Sequence, residues 1–123
     1  MQAMLDGMFM SRRVEECPFA DGNRIPLSHK LFDDDAIILA DLKNKTVVLK
    51  NSKNSQSIRC DFDGFDFIAF WKAAGTEAKY ICFEPWNGLP GFDGKTDDFS
   101  TKVAMRQLPA GESTEMGFDI VIK

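Results

Sequence analysis

The residues with the clearest chemical potential lie in Tyr80-Ile81-Cys82-Phe83-Glu84-Pro85-Trp86-Asn87-Gly88-Leu89-Pro90, an apolar run carrying one carboxylate and one indole. Alternation with period two puts Tyr80, Cys82 and Glu84 on one face of a strand and turns Phe83 to the other. Pro85 has no N–H to give a ladder, so the expectation is a strand that ends at Glu84 and presents its carboxylate at the rim of a sheet. A carboxylate held among Tyr80, Phe83 and Trp86 would have its pKa raised by desolvation, which suits a general base. Trp86 beside it offers a flat apolar wall for the face of a sugar ring. The plain alternative is a solvated strand-end glutamate next to a tryptophan that plugs the core.

Other groups give weaker signals. His29 is the single histidine and sits in the polar Ser28-His29-Lys30 segment, where a surface position is expected although its pKa range would suit acid catalysis. Asp33, Asp34 and Asp35 make the densest acidic run, yet they lack the alternating oxygen ligands, central glycine and terminal glutamate of a calcium loop, so a solvated turn is expected. Cys17, Cys60 and Cys82 are odd in number and show no CxxC spacing, which reads as free thiols in a reducing cytosol. No metal and no cofactor is called for. Lys72, Arg24 and Lys30 have no assigned role, and Met1, Met4, Met8 and Met10 are spaced irregularly.

The elements that must position Glu84 are strands. Ala36–Ala40, Thr46–Lys50, Ser57–Phe62, Asp66–Trp71, Tyr80–Glu84, Val103–Leu108 and Thr114–Ile122 are short and rich in β-branched and aromatic residues. Turn chemistry separates them at Lys43-Asn44-Lys45, Asn51 to Asn54, Asp63-Gly64, Ala74-Gly75-Thr76 and Pro109 to Glu112, as antiparallel hairpins require. In the last segment Met116, Phe118, Ile120 and Ile122 alternate onto one face, which is expected to be core. Ser28 to Phe32 can form one helical turn with Ser28 as its cap. Residues 1–10 read as a short helix or an arm, and Arg12 to Phe19 as strand or loop.

Length and composition fit one all-β domain. The chain has 123 residues, 44% of them hydrophobic, and a formal net charge of -4 with its basic residues scattered. Such a surface does not track phosphates, so nucleic acid is not an expected partner. The aromatic run Phe62, Phe65, Phe67, Phe70 and Trp71 lies beside Asp61, Asp63 and Asp66, which would repel a nucleic-acid backbone; packed interior is the simpler reading. No stretch approaches transmembrane length and no signal-peptide cleavage site follows the apolar start, so a cytoplasmic protein without a membrane partner is expected.

Four short motifs then occur in a recognisable order: Ile25-Pro26-Leu27-Ser28, Leu31-Phe32-x-x-Asp35-Ala36-Ile37-Ile38, Ile81-Cys82-Phe83-Glu84-Pro85-Trp86-x-Gly88 and Leu108-Pro109-Ala110-Gly111-Glu112. In this order, and over nearly the whole chain from Leu5 to Lys123, the sequence resembles the C-terminal part of aldose 1-epimerase (galactose mutarotase)-like proteins. The resemblance implies an antiparallel β-sandwich, with residues 1–123 as an incomplete, C-terminal portion of a larger supersandwich domain. It implies an isomerase that interconverts the α and β anomers of an aldose, with Glu84 as general base and Trp86 and Asp35 as substrate-binding residues. The histidines that serve as acid in that family come from a part upstream of what is present here, and His29 does not match their motifs, so this chain alone is expected to be weak or inactive. Half a sandwich would leave strand edges and an apolar face exposed, so a homodimer is also expected. The readings that stay open are a non-catalytic sugar-binding or protein-interaction β-sandwich and a glycosidase-like site pairing Glu84 with Asp93 or Asp35.

Overall fold

A computed structural model describes residues 2–6, 9–18, 20–92, 94 and 96–123. The described residues form eight strands: β1 (Gln2–Asp6), β2 (Phe9–Glu15), β3 (Ile37–Ala40), β4 (Thr46–Lys50), β5 (Ser57–Asp61), β6 (Phe67–Trp71), β7 (Cys82–Trp86) and β8 (Asp119–Ile122). A single 3-10 turn, His29–Phe32, precedes β3. Two antiparallel sheets result, one in the order β2-β1-β3-β6-β7 and one in the order β4-β5-β8. The expected all-β sandwich is therefore observed.

The chain crosses between the sheets after β3, after β5 and after β7. The β4–β5 hairpin closes through Asn51 to Gln56, where Asn51 N–H donates to the Gln56 carbonyl at 3.0 Å and the Asn51 and Asn54 side chains accept from the backbone. These are the turn residues whose short amides satisfy local N–H groups. At the next turn Gly64 takes φ 88°, a left-handed conformation that glycine adopts without steric cost.

Alternation along the central strands sorts side chains onto two faces of the larger sheet. Ile37, Leu39 and Ile68 face the smaller sheet and meet Cys60, Phe62 and Phe32, with Phe70 and Phe83 packed alongside. Phe70 and Phe83 pack edge to face at 5.6 Å, the arrangement that aromatic quadrupoles favour. Ile38 and Ala69 face the other way and are covered by Ala36, Phe67, Trp86, Leu89 and Phe92. Of the aromatic run expected to be packed interior, Phe62, Phe65 and Phe70 join the core between the sheets and Phe67 the opposite face, while half-buried Trp71 belongs to neither.

Several expectations are corrected. The strand carrying Glu84 does not stop there; its ladder runs through Pro85 opposite Ile68 to Trp86 opposite Phe67. The physical reason is that β7 is the outermost described strand of its sheet, a position where a proline is tolerated. Tyr80 lies outside β7 and is 44% exposed. Its hydroxyl instead accepts the Ala73 N–H at 2.9 Å, and its ring lies against Trp71. Val103–Leu108 is turn and irregular backbone, with Ala104 at φ 62° breaking any extended run. The last strand begins only at Asp119, and the face carrying Met116, Phe118, Ile120 and Ile122 is exposed rather than core. The helical turn is present, but the Ser28 side chain makes no capping bond. Residues 2–6 and 9–10 are strand and not the short helix or arm expected there, while Arg12 to Glu15 takes the strand alternative of the strand-or-loop reading. Met1, Met8 and Asp93 lie outside the described residues.

Candidate functional site

Glu84 occupies the middle of β7 and pairs across the ladder with Ala69, which pairs in turn with Ile38. Directly cross-strand residues point to the same side of a sheet, so Glu84 emerges on the face covered by Trp86, Leu89 and Phe92. Ala69 contributes only a methyl group, which leaves room above it for the glutamate. Two residues along the strand, Trp86 lies on the same face and is half-buried.

The carboxyl pKa of Glu84 is raised, first by burial. A hydrogen bond from the Trp86 side chain pulls it back down, and the negative charge of Asp35 pushes it up. Trp86, two positions along the same strand, and Asp35, distant in sequence, therefore both act on Glu84 in the fold. Asp35 reaches this position from an exposed turn just ahead of β3, at φ 86°, where its own Oδ1 accepts the Ala36 N–H at 2.8 Å. A non-glycine residue at such a φ is strained by about 1–3 kcal/mol and is held there by its surroundings.

Beyond Trp86 the chain leaves the sheet and folds around an open hollow of about 400 Å³ lined by Pro85, Trp86, Asn87, Gly88, Leu89 and Pro90. The hollow is shallow and wide open to solvent, so its walls alone do not enclose a ligand. Glu84 is not among the lining residues; it lies one residue before them, so the hollow adjoins the carboxylate rather than surrounding it. Gly88 permits the bend with φ 133°, and a Cβ at that position would meet Met105 Sδ at 3.4 Å. Asn87 ties the corner down. Its Oδ1 accepts the Asp66 N–H at 3.0 Å and its Nδ2 donates to the Gly64 carbonyl at 3.2 Å, joining the end of β7 to the turn before β6. Arg106 donates to the same carbonyl at 2.7 Å.

The structure keeps His29 in a different cluster, which the sequence reading missed. Lys72 is 4% exposed, and its ammonium donates to His29 Nδ1 at 2.9 Å and to the Thr76 carbonyl. An ammonium has donors only, so Nδ1 must accept, and the imidazole proton sits on Nε2, which faces Glu77 Oε2 at 3.3 Å. His29 thus serves as a link between a buried lysine and a surface carboxylate. The signal for Lys72 was present, since it continues the inward parity of Ile68 and Phe70. All three cysteines are free, and burial followed by the charge of Asp61 raises the Cys60 thiol pKa, so this thiol stays protonated and inert. Among the described residues no group of histidine, cysteine or acidic side chains could hold a metal ion, and no helix is long and apolar enough to cross a membrane.

No family model matches the chain. Among curated proteins it is 28% identical over 109 residues to the chromosomal form of Protein LacX of Lactococcus lactis subsp. lactis and equally to the plasmid form; these matches cover 88% of this chain and 36% of each relative. Among solved structures it superposes on a galactose mutarotase-like protein from Lactobacillus casei ATCC 334 with a TM-score of 0.90 and 31% identity, covering 99% of this chain and 42% of that one. A galactose mutarotase related enzyme from Lactobacillus acidophilus matches with a TM-score of 0.81 and 25% identity over 99% of this chain and 41% of that one. The chain spans about a third of the length of the curated relatives and about two fifths of these structures.

Proposed function

Because this chain has the fold of the galactose mutarotase-like proteins over nearly its whole length, we propose that it contributes the general base of an aldose 1-epimerase. The observation that carries the reading is the placement of Glu84 on one sheet face with Trp86, its pKa raised by burial and by Asp35. In this role Glu84 takes the proton from the C1 hydroxyl of a cyclic aldose. The bond from C1 to the ring oxygen breaks to give the open-chain aldehyde, and the ring oxygen takes a proton from an acid; after rotation about the C1–C2 bond the reverse steps close the ring on the other face. Trp86 carries the apolar face of the sugar, and Asp35 accepts a hydrogen bond from a hydroxyl.

The acid partner is not provided by His29, whose two nitrogens are engaged by Lys72 and Glu77. We therefore assign residues 1–123 to an incomplete part of the larger domain, weak or inactive by itself. The test is NMR exchange between the anomers of glucose and galactose, with this chain alone and joined to the part of the Lactobacillus casei protein that it does not match. Acceleration above buffer by the joined form, lost in Glu84→Gln, is the expected result. Acceleration that survives Glu84→Gln overturns the assignment. Sugar-dependent changes in tryptophan fluorescence without any acceleration would make this a sugar-binding module instead.

A further inference from the structure

Asn87 carries the only wholly polar side chain among the residues lining the hollow, so residue type alone would make it a contact for a sugar hydroxyl. Its hydrogen bonds point elsewhere. Asn87 Oδ1 accepts the Asp66 N–H at 3.0 Å and Nδ2 donates to the Gly64 carbonyl at 3.2 Å, and these two partners fix which amide atom is which. Nδ2 also faces Met116 Sδ at 3.8 Å. A side-chain amide holds an acceptor and a donor side by side, as a peptide unit does, and Asn87 spends both on the segment leading into β6, just past the ladder pair of Phe67 with Trp86. The side chain thus extends the β6–β7 ladder by a step while the main chain turns away at Gly88. The Asp66 N–H is shared with the Trp86 carbonyl at 3.2 Å, so one donor holds both the Trp86 main chain and the Asn87 amide.

We propose that Asn87 is a positioning residue: its amide clamps the end of β7 to the turn before β6 and so holds the Trp86 indole where it both carries the sugar ring and donates to Glu84. The inference rests on the reading of Glu84 as base and Trp86 as sugar wall, and adds the group that orients the wall. Such a clamp matters here because β7 is the outermost described strand of its sheet, so among the described strands only β6 holds Trp86 in a ladder, and because the adjoining hollow is open. Arg106 reinforces the same turn, donating to the Gly64 carbonyl at 2.7 Å and standing 3.7 Å from Asp66 Oδ1. Each backbone group that Asn87 serves therefore has a second partner, Arg106 for the Gly64 carbonyl and the Trp86 carbonyl for the Asp66 N–H. Removing the amide orphans no peptide group, so the variant should fold.

NMR of Asn87→Ala in this chain, without sugar, tests the proposal. The Glu84 carboxyl pKa, read by carbon-13, is expected to rise as in Trp86→Phe, because the indole no longer sits where it donates. In the double variant it should rise no further than in Trp86→Phe alone, since the amide acts through the indole. Hydrogen exchange of the two indole N–H groups is expected to quicken by about tenfold or more at Trp86 and to stay unchanged at Trp71. An unmoved carboxyl, full additivity in the double variant, or equal quickening at both indoles overturns the proposal. So does a KM of the joined form that rises in Asn87→Ala while the carboxyl stays unmoved, the signature of a direct sugar contact. The carboxyl and indole readings need no turnover, so they can fail while Glu84→Gln still abolishes acceleration, and hold where no acceleration is seen.

Discussion

Two neighbours act on the Glu84 carboxyl in opposite directions, which makes their removal diagnostic. Asp35 raises its pKa and the Trp86 hydrogen bond lowers it. Asp35→Asn should therefore bring the Glu84 pKa down toward the ordinary carboxylate value, and Trp86→Phe should raise it further; carbon-13 NMR of the Glu84 carboxyl across a pH series reads both. The same shift gives a stability signature. With its folded pKa above the unfolded value of about 4.3, the native state holds the Glu84 proton where the unfolded chain has lost it. That contribution is fully present below the unfolded pKa and is lost as pH rises through the folded pKa. Glu84→Gln, which cannot ionise, should gain stability relative to wild type through that window and stay level above it, as urea unfolding from about pH 3 to about pH 8 would record. A depressed Glu84 pKa would give the opposite slope. In catalysis the raised pKa acts the other way, since the base works only when ionised and activity falls as pH drops through it.

At the scale of elements, the end of β7 is held by backbone geometry as much as by side chains. Gly88 adopts φ 133° and stands close to Met105, so Gly88→Ala should cost about 1–3 kcal/mol of stability and move the Pro85–Pro90 corner. Denaturant unfolding gives the cost, and a changed tryptophan emission reports the movement of Trp86. An unchanged midpoint and spectrum would show that the corner does not depend on this glycine. Much of this element was legible beforehand. The apolar run and its alternation come from residue type, but Pro85 pointed to a strand ending at Glu84, two residues too early, because a proline is tolerated in an outer strand. Whether a strand is central or outer is a property of the sheet, and nothing in residues 80–90 encodes it.

For the molecule as a whole, stability rests on the core between the two sheets, where Phe62 and Ile68 are fully buried. Phe62→Ala removes a ring from that space and should cost about 3–5 kcal/mol, a large share of the total for a domain of this size, measurable by urea unfolding. A loss below roughly 1 kcal/mol would mean that the site collapses around the missing ring or was never tightly packed. Residue pattern alone determined that the chain is built of short antiparallel strands and that Cys82 and Glu84 share a side with Phe83 turned to the other, since period-two alternation and turn residues are local properties. Tertiary structure decided the rest. The charge of Asp35 acts on Glu84 because β3 and β7 flank β6 in one sheet, Lys72 finds His29 across 43 positions of sequence, and the alternation of Met116 to Ile122, identical to that of a buried strand, ends up exposed. A sequence pattern specifies which side of a strand is apolar; only the packing of sheets decides whether anything lies over it.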